Sequence, residues 1–178
     1  MIRADEWVPL AEVARPHGVR GELRLKLFNK DSDILLTLDE VLVRLPDGEE
    51  HEVSIDGARR ADDAILMKLH SIDGRDRADE LRGAILCAKR GEFPAPDEGE
   101  FYVCDVVGAN VVVTEADGGT RLIGKVTELR SYPSVSALVV AAADGGKDWE
   151  IPLVEAFIAE VDVVGGTVTL VTMEGLDR

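Results

Sequence analysis

One segment of the chain alternates strictly in its side chains. In residues 22–28, three leucines fall on one side of the pattern, and Glu22, Arg24, Lys26 and Phe28 fall on the other. Because successive side chains of a β-strand point to opposite faces, this period of two predicts a strand with one buried face. A lone strand cannot cover that face, so the chain must build a sheet around it.

Further short apolar runs surround this segment in the first half of the chain. The only clear change of period, over Gly74–Arg82 and closed by Gly83, predicts one short helix. Six short strands favour a small closed barrel, because closure pairs every strand edge. The other strands are predicted at 8–15, 40–45, 51–55, 64–69 and 84–88.

Residues 93–99, Phe-Pro-Ala-Pro-Asp-Glu-Gly, interrupt these patterns. The two prolines predict a semi-rigid linker. A chain of 178 residues has room for two domains of roughly 80–90 residues each. We therefore predict an N-terminal domain over 1–92 and a C-terminal domain over 100–178.

The second half is again predicted to be all-β. A turn at Asp117-Gly-Gly119 and a tight hairpin at Gly165-Gly166 separate apolar runs, and one turn of helix is expected near 155–160. The strands are predicted at 109–114, 122–129, 135–140, 149–151, 161–164 and 167–171.

The charge of the chain is uneven. The net charge is −15, with 15 Lys and Arg against 20 Asp and Glu in residues 1–92, and 5 against 15 in residues 93–178. This balance argues against simple coating of a nucleic acid, which needs a basic surface. One segment reverses this excess of acidic residues: residues 15–30 hold five cations and one acid, Glu22. It is either an ordinary solvated face or a surface that contacts phosphate.

No catalytic, metal or cofactor site stands out. Gly119–Lys125 has the glycine-lysine spacing of a phosphate-binding loop, but Val126 follows where a Ser or Thr would hold magnesium. The three histidines are scattered, and Cys87 and Cys104 lack zinc-site spacing and a nearby base. We therefore predict a non-enzymatic protein with no catalytic residue, no metal and no cofactor.

The expected compartment is the cytoplasm. No apolar run approaches the roughly 20 residues of a membrane helix, and the first residues lack a secretory signal. Two reduced thiols are the simplest account of the cysteines in such a protein.

The one adjacent aromatic pair, Phe101-Tyr102, opens the second half. The two rings could plug the second domain as core residues. Alternatively, at least one could be an exposed anchor beside the domain junction, because aromatic rings often anchor interfaces.

Four segments in this order resemble the bacterial ribosome maturation factor RimM family. Residues 10–25, which contain His17-Gly-Val-Arg-Gly21, resemble the N-terminal signature of that family. Residues 100–108 resemble the start of its C-terminal PRC-barrel domain, and residues 150–153, 161–162 and 174–176 are similar to its closing segments. The resemblance covers essentially the whole chain.

The resemblance implies a mainly β fold of two small barrels, a six-stranded barrel similar to those of translation factors and then a PRC barrel. It implies a non-enzymatic factor that assists maturation of the head of the 30S subunit and processing of 16S rRNA. The implied partners are the basic head protein numbered nineteen in the small-subunit series, contacted through the C-terminal domain and the linker, and the pre-30S particle with its rRNA. We expect a monomer without a membrane partner.

The resemblance also carries over candidate site residues. The aromatic pair of the family falls on Phe101 and Tyr102, and its acidic residue falls on Asp105. Departures occur at Arg15-Pro16, where small residues are commoner, at Cys104, where histidine is common, and in the loop at 131–136. Together with the local charge reversal, the N-terminal signature gives these RNA-facing candidates: Arg15, His17, Gly18, Arg20, Gly21, Arg24 and Lys26.

Two alternatives of other classes stay open. One is a PRC-type protein-interaction module without a ribosomal role. The other is an RNA-modifying enzyme, against which the missing catalytic cluster argues.

Overall fold

The computed structural model describes residues 2–97, 99–115 and 118–176. The chain is mainly β and divides into two compact units between Ala95 and Pro96. The predicted linker at 93–99 spans this division, although Glu98 lies outside the described residues.

The first unit is a closed barrel of six antiparallel strands in the order β1-β2-β5-β4-β3-β6, which confirms the predicted barrel. The short helix α1 covers Gly74–Glu80, and two 3-10 turns lie at Ile34–Leu36 and Arg90–Glu92. The strands are β1 (Trp7–His17), β2 (Glu22–Leu27), β3 (Glu40–Arg44), β4 (Glu50–Ala61), β5 (Ala64–Leu69) and β6 (Ile85–Lys89).

The core of the barrel follows the period of two. Leu23, Leu25 and Leu27 of β2 are buried, whereas the residues between them reach solvent. Ala78 of α1 is also fully buried in this core, so the helix packs against the barrel. Cys87 is buried in β6, and this burial raises the pKa of its thiol. A buried thiol of raised pKa suits packing rather than nucleophilic chemistry.

The second unit is a six-stranded sheet that curls around its own core in the order β10-β9-β8-β7-β12-β11. The β12–β7 pair is parallel, and the other pairs are antiparallel. A four-residue helix, α2 (Val103–Val106), precedes the sheet. The strands are β7 (Asn110–Thr114), β8 (Thr120–Ser131), β9 (Ser136–Ala142), β10 (Trp149–Pro152), β11 (Ile158–Asp162) and β12 (Thr167–Leu170).

Two details of the second unit differ from the prediction. The helical turn expected around 155–160 is shorter than predicted: the Val154 carbonyl accepts hydrogen bonds from the Phe157 and Ile158 amides, and β11 begins at Ile158 and pairs with β12. The strand expected at 161–164 ends at Asp162, whose side chain accepts a hydrogen bond from the Gly165 amide at 2.7 Å and closes the turn into β12. Asp117 of the other predicted turn lies outside the described residues.

None of the described helices is both long enough and apolar enough to cross a membrane.

Candidate partner-binding groove and basic face

The predicted aromatic pair lies directly before α2. Phe101 is half-buried and packs against the core of the second unit, and Tyr102 is half-buried beside it. The Tyr102 carbonyl accepts a hydrogen bond from the Asp105 amide at 2.9 Å, which starts the helical turn. The rings are therefore neither fully buried plugs nor freely exposed anchors.

The third residue of the predicted partner site is buried. Asp105 is only 6% exposed, and the Cys104 Sγ lies 3.9 Å from its Oδ1, within reach of a weak hydrogen bond. A buried carboxylate in a small domain must be satisfied from within the protein. Asp105 therefore presents little surface to a partner.

A groove opens beside Phe101. One wall is the segment 99–101, and the other is formed by residues between Leu153 and Val163 that lead into and along β11. The groove encloses about 470 Å³. Its floor is apolar, because Phe101, Leu153, Ile158 and Val161 are half-buried side chains that also pack against the core.

Acidic side chains surround this floor. Glu100, Glu155 and Glu160 line the groove and are exposed. Among the described residues that line it, there is no lysine or arginine. An apolar floor with an acidic rim is complementary to a partner segment that mixes apolar and basic side chains.

The groove also follows an outer edge of the described sheet. β11 is the last strand on its side and pairs with β12 alone. A bulge between Ile158 and Glu160 interrupts this pairing at Ala159, and such bulges are common at sheet edges. The sequence did not predict that a strand in this wall begins at Ile158, since the helical turn was expected to extend to residue 160.

The RNA-facing candidates lie on the first hairpin of the barrel. Arg15 of β1 is exposed and lies directly opposite Arg24 of β2, and Lys26 is exposed farther along β2. His17 is half-buried and lies opposite Glu22. The hairpin therefore brings the candidate cations onto one side of the barrel.

The three remaining candidates form the turn between β1 and β2. Gly18 has a φ of +62° and open space around it, and Arg20 is exposed. Gly21 differs from both, because it is buried and a Cβ atom there would lie 2.2 Å from the Ile72 carbonyl oxygen. Packing alone therefore explains why position 21 is a glycine, and RNA contact is not needed to explain it.

Sequence reasoning missed one cation of this surface. Arg59 of β4 lies opposite Leu66 of β5, which in turn lies opposite Arg24. Directly opposed residues of neighbouring strands share a face, so Arg59 continues the line of cations. We call Arg15, Arg24, Lys26 and Arg59 the basic face.

Lys68 of β5 lies near this face but is otherwise engaged. Its ammonium donates to the Ile72 carbonyl and, at 2.9 Å, to Asp73 Oδ1. The hydrogen bond from Lys68 lowers the pKa of Asp73. Lys68 therefore holds the loop that packs over Gly21.

The fold and the groove define a class of protein. Such a protein has two barrel-like β units, and one unit carries a surface groove with an apolar floor and an acidic rim. Two family models match the chain, the RimM N-terminal domain over residues 8–93 and the RimM PRC barrel domain over residues 104–176. These matches cover both units.

Relatives match over nearly the full length. The ribosome maturation factor RimM of Sorangium cellulosum is 47% identical over 96% of this chain and 97% of that protein. The protein of the same name from Corynebacterium glutamicum strain ATCC 13032 is 34% identical over 98% of each chain. The chain belongs to the RimM family, which confirms the resemblance.

A crystal structure of a 16S ribosomal RNA processing protein RimM from Pseudomonas aeruginosa is also similar. It is 21% identical with a TM-score of 0.47, over 94% of this chain and 98% of that one. Because this TM-score is low, the family assignment rests on the sequence matches.

Proposed function

We propose that this protein is a non-enzymatic assembly factor of the small ribosomal subunit that binds a basic head protein in the groove beside Phe101. The partner is the small-subunit ribosomal protein numbered nineteen. Binding would assist maturation of the 30S head and processing of 16S rRNA. The acidic groove with its apolar floor is the observation that carries the proposal.

The relatives supply the ribosomal context. Those cited above are named ribosome maturation factors, and they align with nearly the whole of this chain. We extend that role to this protein, and we place its action in the cytoplasm, where bacterial ribosomes assemble.

The charge of the second half favours a basic partner. Residues 93–178 hold 5 Lys and Arg against 15 Asp and Glu. Such an excess attracts a basic protein at long range and disfavours RNA, while the apolar floor supplies contacts that charge alone does not. Phe101 is the aromatic anchor of the floor, and rings of this kind often carry a large share of binding energy.

In this proposal the two units have different binding roles. The second domain, 100–178, holds the head protein, and the linker at 93–99 joins it to the first domain, 1–92. The basic face of the first domain approaches the rRNA of the pre-30S particle. We propose that the protein acts as a monomer.

Titration of the purified head protein into the full-length chain tests the proposal. Calorimetry should detect one-to-one binding that weakens by about tenfold between low and moderate salt, because exposed charges are screened within a Debye length of about 10 Å at 0.1 M ionic strength. A basic large-subunit protein of similar net charge serves as the control and should bind more weakly. Failure of the head protein to bind, or equal binding of the control, would contradict the proposal.

A further inference from the structure

The outer side of β2 ends in an exposed aromatic ring. Phe28 follows Lys26 at the spacing of one strand face and is 54% exposed. Its amide donates to the Leu10 carbonyl at 3.0 Å, so the backbone continues the pairing of β1 with β2. Phe28 is not among the described apolar side chains that pack against the barrel core. The strand therefore displays a ring to solvent beside a cation.

The basic face extends from this ring across four strands. Arg15, Arg24 and Arg59 lie in one cross-strand row that passes through Leu66. Leu66 lies in this row and is only 5% exposed. Arg15 and Arg59 are exposed, and Arg24 is half-buried.

Two of the four cations on the basic face form ion pairs with described acids, and two do not. Arg24 pairs with Asp63 at 3.1 Å, and Arg59 pairs with Glu22 at 3.0 Å. No acid in the described part of the chain lies within salt-bridge distance of Arg15 or Lys26 (the second of which lies two residues from Phe28). Glu12 of β1 lies directly opposite Lys26 without forming an ion pair with it, so Lys26 and Arg15 keep their hydrogen-bond donors available to an anion.

We propose that the basic face and Phe28 together bind unpaired RNA, with one base stacked on the Phe28 ring and neighbouring phosphates on Lys26 and Arg15. This inference rests on the proposed function, because a ribosomal precursor supplies the unpaired RNA. Side chains on one face of a strand repeat about every 6.7 Å. Lys26 and Phe28 are separated by one such repeat, which is close to the spacing of neighbouring nucleotides in an extended single strand, and Arg15 lies on the adjacent strand, opposite Arg24.

The exposed ring distinguishes an unpaired strand from a duplex. In a duplex the base faces are stacked on each other, so a side chain meets only edges and backbone. Proteins that hold single strands combine cations for the phosphates with aromatic rings for the bases. An acidic protein segment would match the cations but has no general use for a flat ring beside them.

Fluorescence anisotropy of a labelled oligouridine of about twelve nucleotides tests the inference on the full-length protein. Phe28→Ala should weaken binding by about tenfold, and Phe28→Trp should restore it. Lys26→Gln should lower the slope of log affinity against log salt by about 0.7. Because Phe28 is exposed, these variants should melt as the wild type does.

The second unit offers matched controls. Tyr132 is another exposed aromatic, at 47%, and Lys147 is another exposed lysine. Tyr132→Ala and Lys147→Gln should leave RNA affinity and salt slope unchanged. Equal losses in the controls, or undiminished binding by Phe28→Ala, would overturn the inference.

The head protein separates this inference from the proposed function. Phe28→Ala should bind the head protein with unchanged affinity while it loses RNA. A wild-type protein that binds the head protein but not oligouridine, or that binds a short acidic peptide in its place, overturns only the RNA inference. A wild-type protein that fails to bind the head protein overturns the proposed function.

Discussion

Replacing Gly21 by alanine is expected to lower the free energy of unfolding of the first unit by about 3–5 kcal/mol. Gly21 has a φ of +83°, which strains any residue with a side chain. The new Cβ would also lie 2.2 Å from the Ile72 carbonyl oxygen, a backbone atom held by Lys68. Hydrogen-exchange mass spectrometry in increasing urea would measure the effect, because it follows β2 and β5 peptides separately from the second unit.

Gly18→Ala in the same turn is the matched control. Its φ of +62° is also in the left-handed region, but nothing lies within 4 Å of the added Cβ. We expect a loss of only about 1 kcal/mol, from backbone strain alone. If the two variants lost equal stability, the contact with Ile72 would not be the reason for glycine at position 21.

Reversing the charge of the groove should have the largest effect on partner binding. The double substitution Glu155→Lys with Glu160→Lys is expected to weaken affinity for the head protein by about 30-fold, because two attractive contacts become repulsive. Both side chains are exposed, so the second unit should fold normally. Calorimetric titration of the full-length variant measures the change.

A second double substitution controls for net charge. Asp148 and Glu174 are exposed acids of the same unit that do not line the groove. Asp148→Lys with Glu174→Lys changes the net charge by the same amount and should keep the affinity within about threefold. If it weakened binding as much as the groove variant, long-range charge rather than the groove would explain recognition.

Local pattern predicted most of the strands, because alternation reports directly on one buried face. β5 has the predicted bounds, and β2 ends one residue earlier than predicted. The segment at 155–160 was not predictable in this way. Its conformation depends on pairing between Ile158 and Leu170 across a turn, and on the position of β11 at the edge of a sheet with a parallel pair.

Likewise, the parts of the candidate site that lie close together in sequence could be predicted, and the parts that strand pairing brings together could not. The aromatic pair and Glu100 could be identified in one short stretch of sequence, but the opposite wall of the groove lies some fifty residues farther along the chain. The burial of Asp105 could not be predicted either, because a helix of four residues is too short to show a periodic pattern in the sequence. On the basic face, Arg59 joins Arg24 only through the pairing of β2, β5 and β4.

Sedimentation on a sucrose gradient tests whether the acidic groove binds this protein to the immature small subunit. Extracts of cells that accumulate immature small subunits would be fractionated and probed for this protein. The wild type and the Asp148→Lys, Glu174→Lys control should migrate with the immature subunits, and the Glu155→Lys, Glu160→Lys variant should stay at the top of the gradient. If the wild-type protein stays at the top, or the groove variant migrates with the particles like the control, the groove does not hold the protein on the immature subunit.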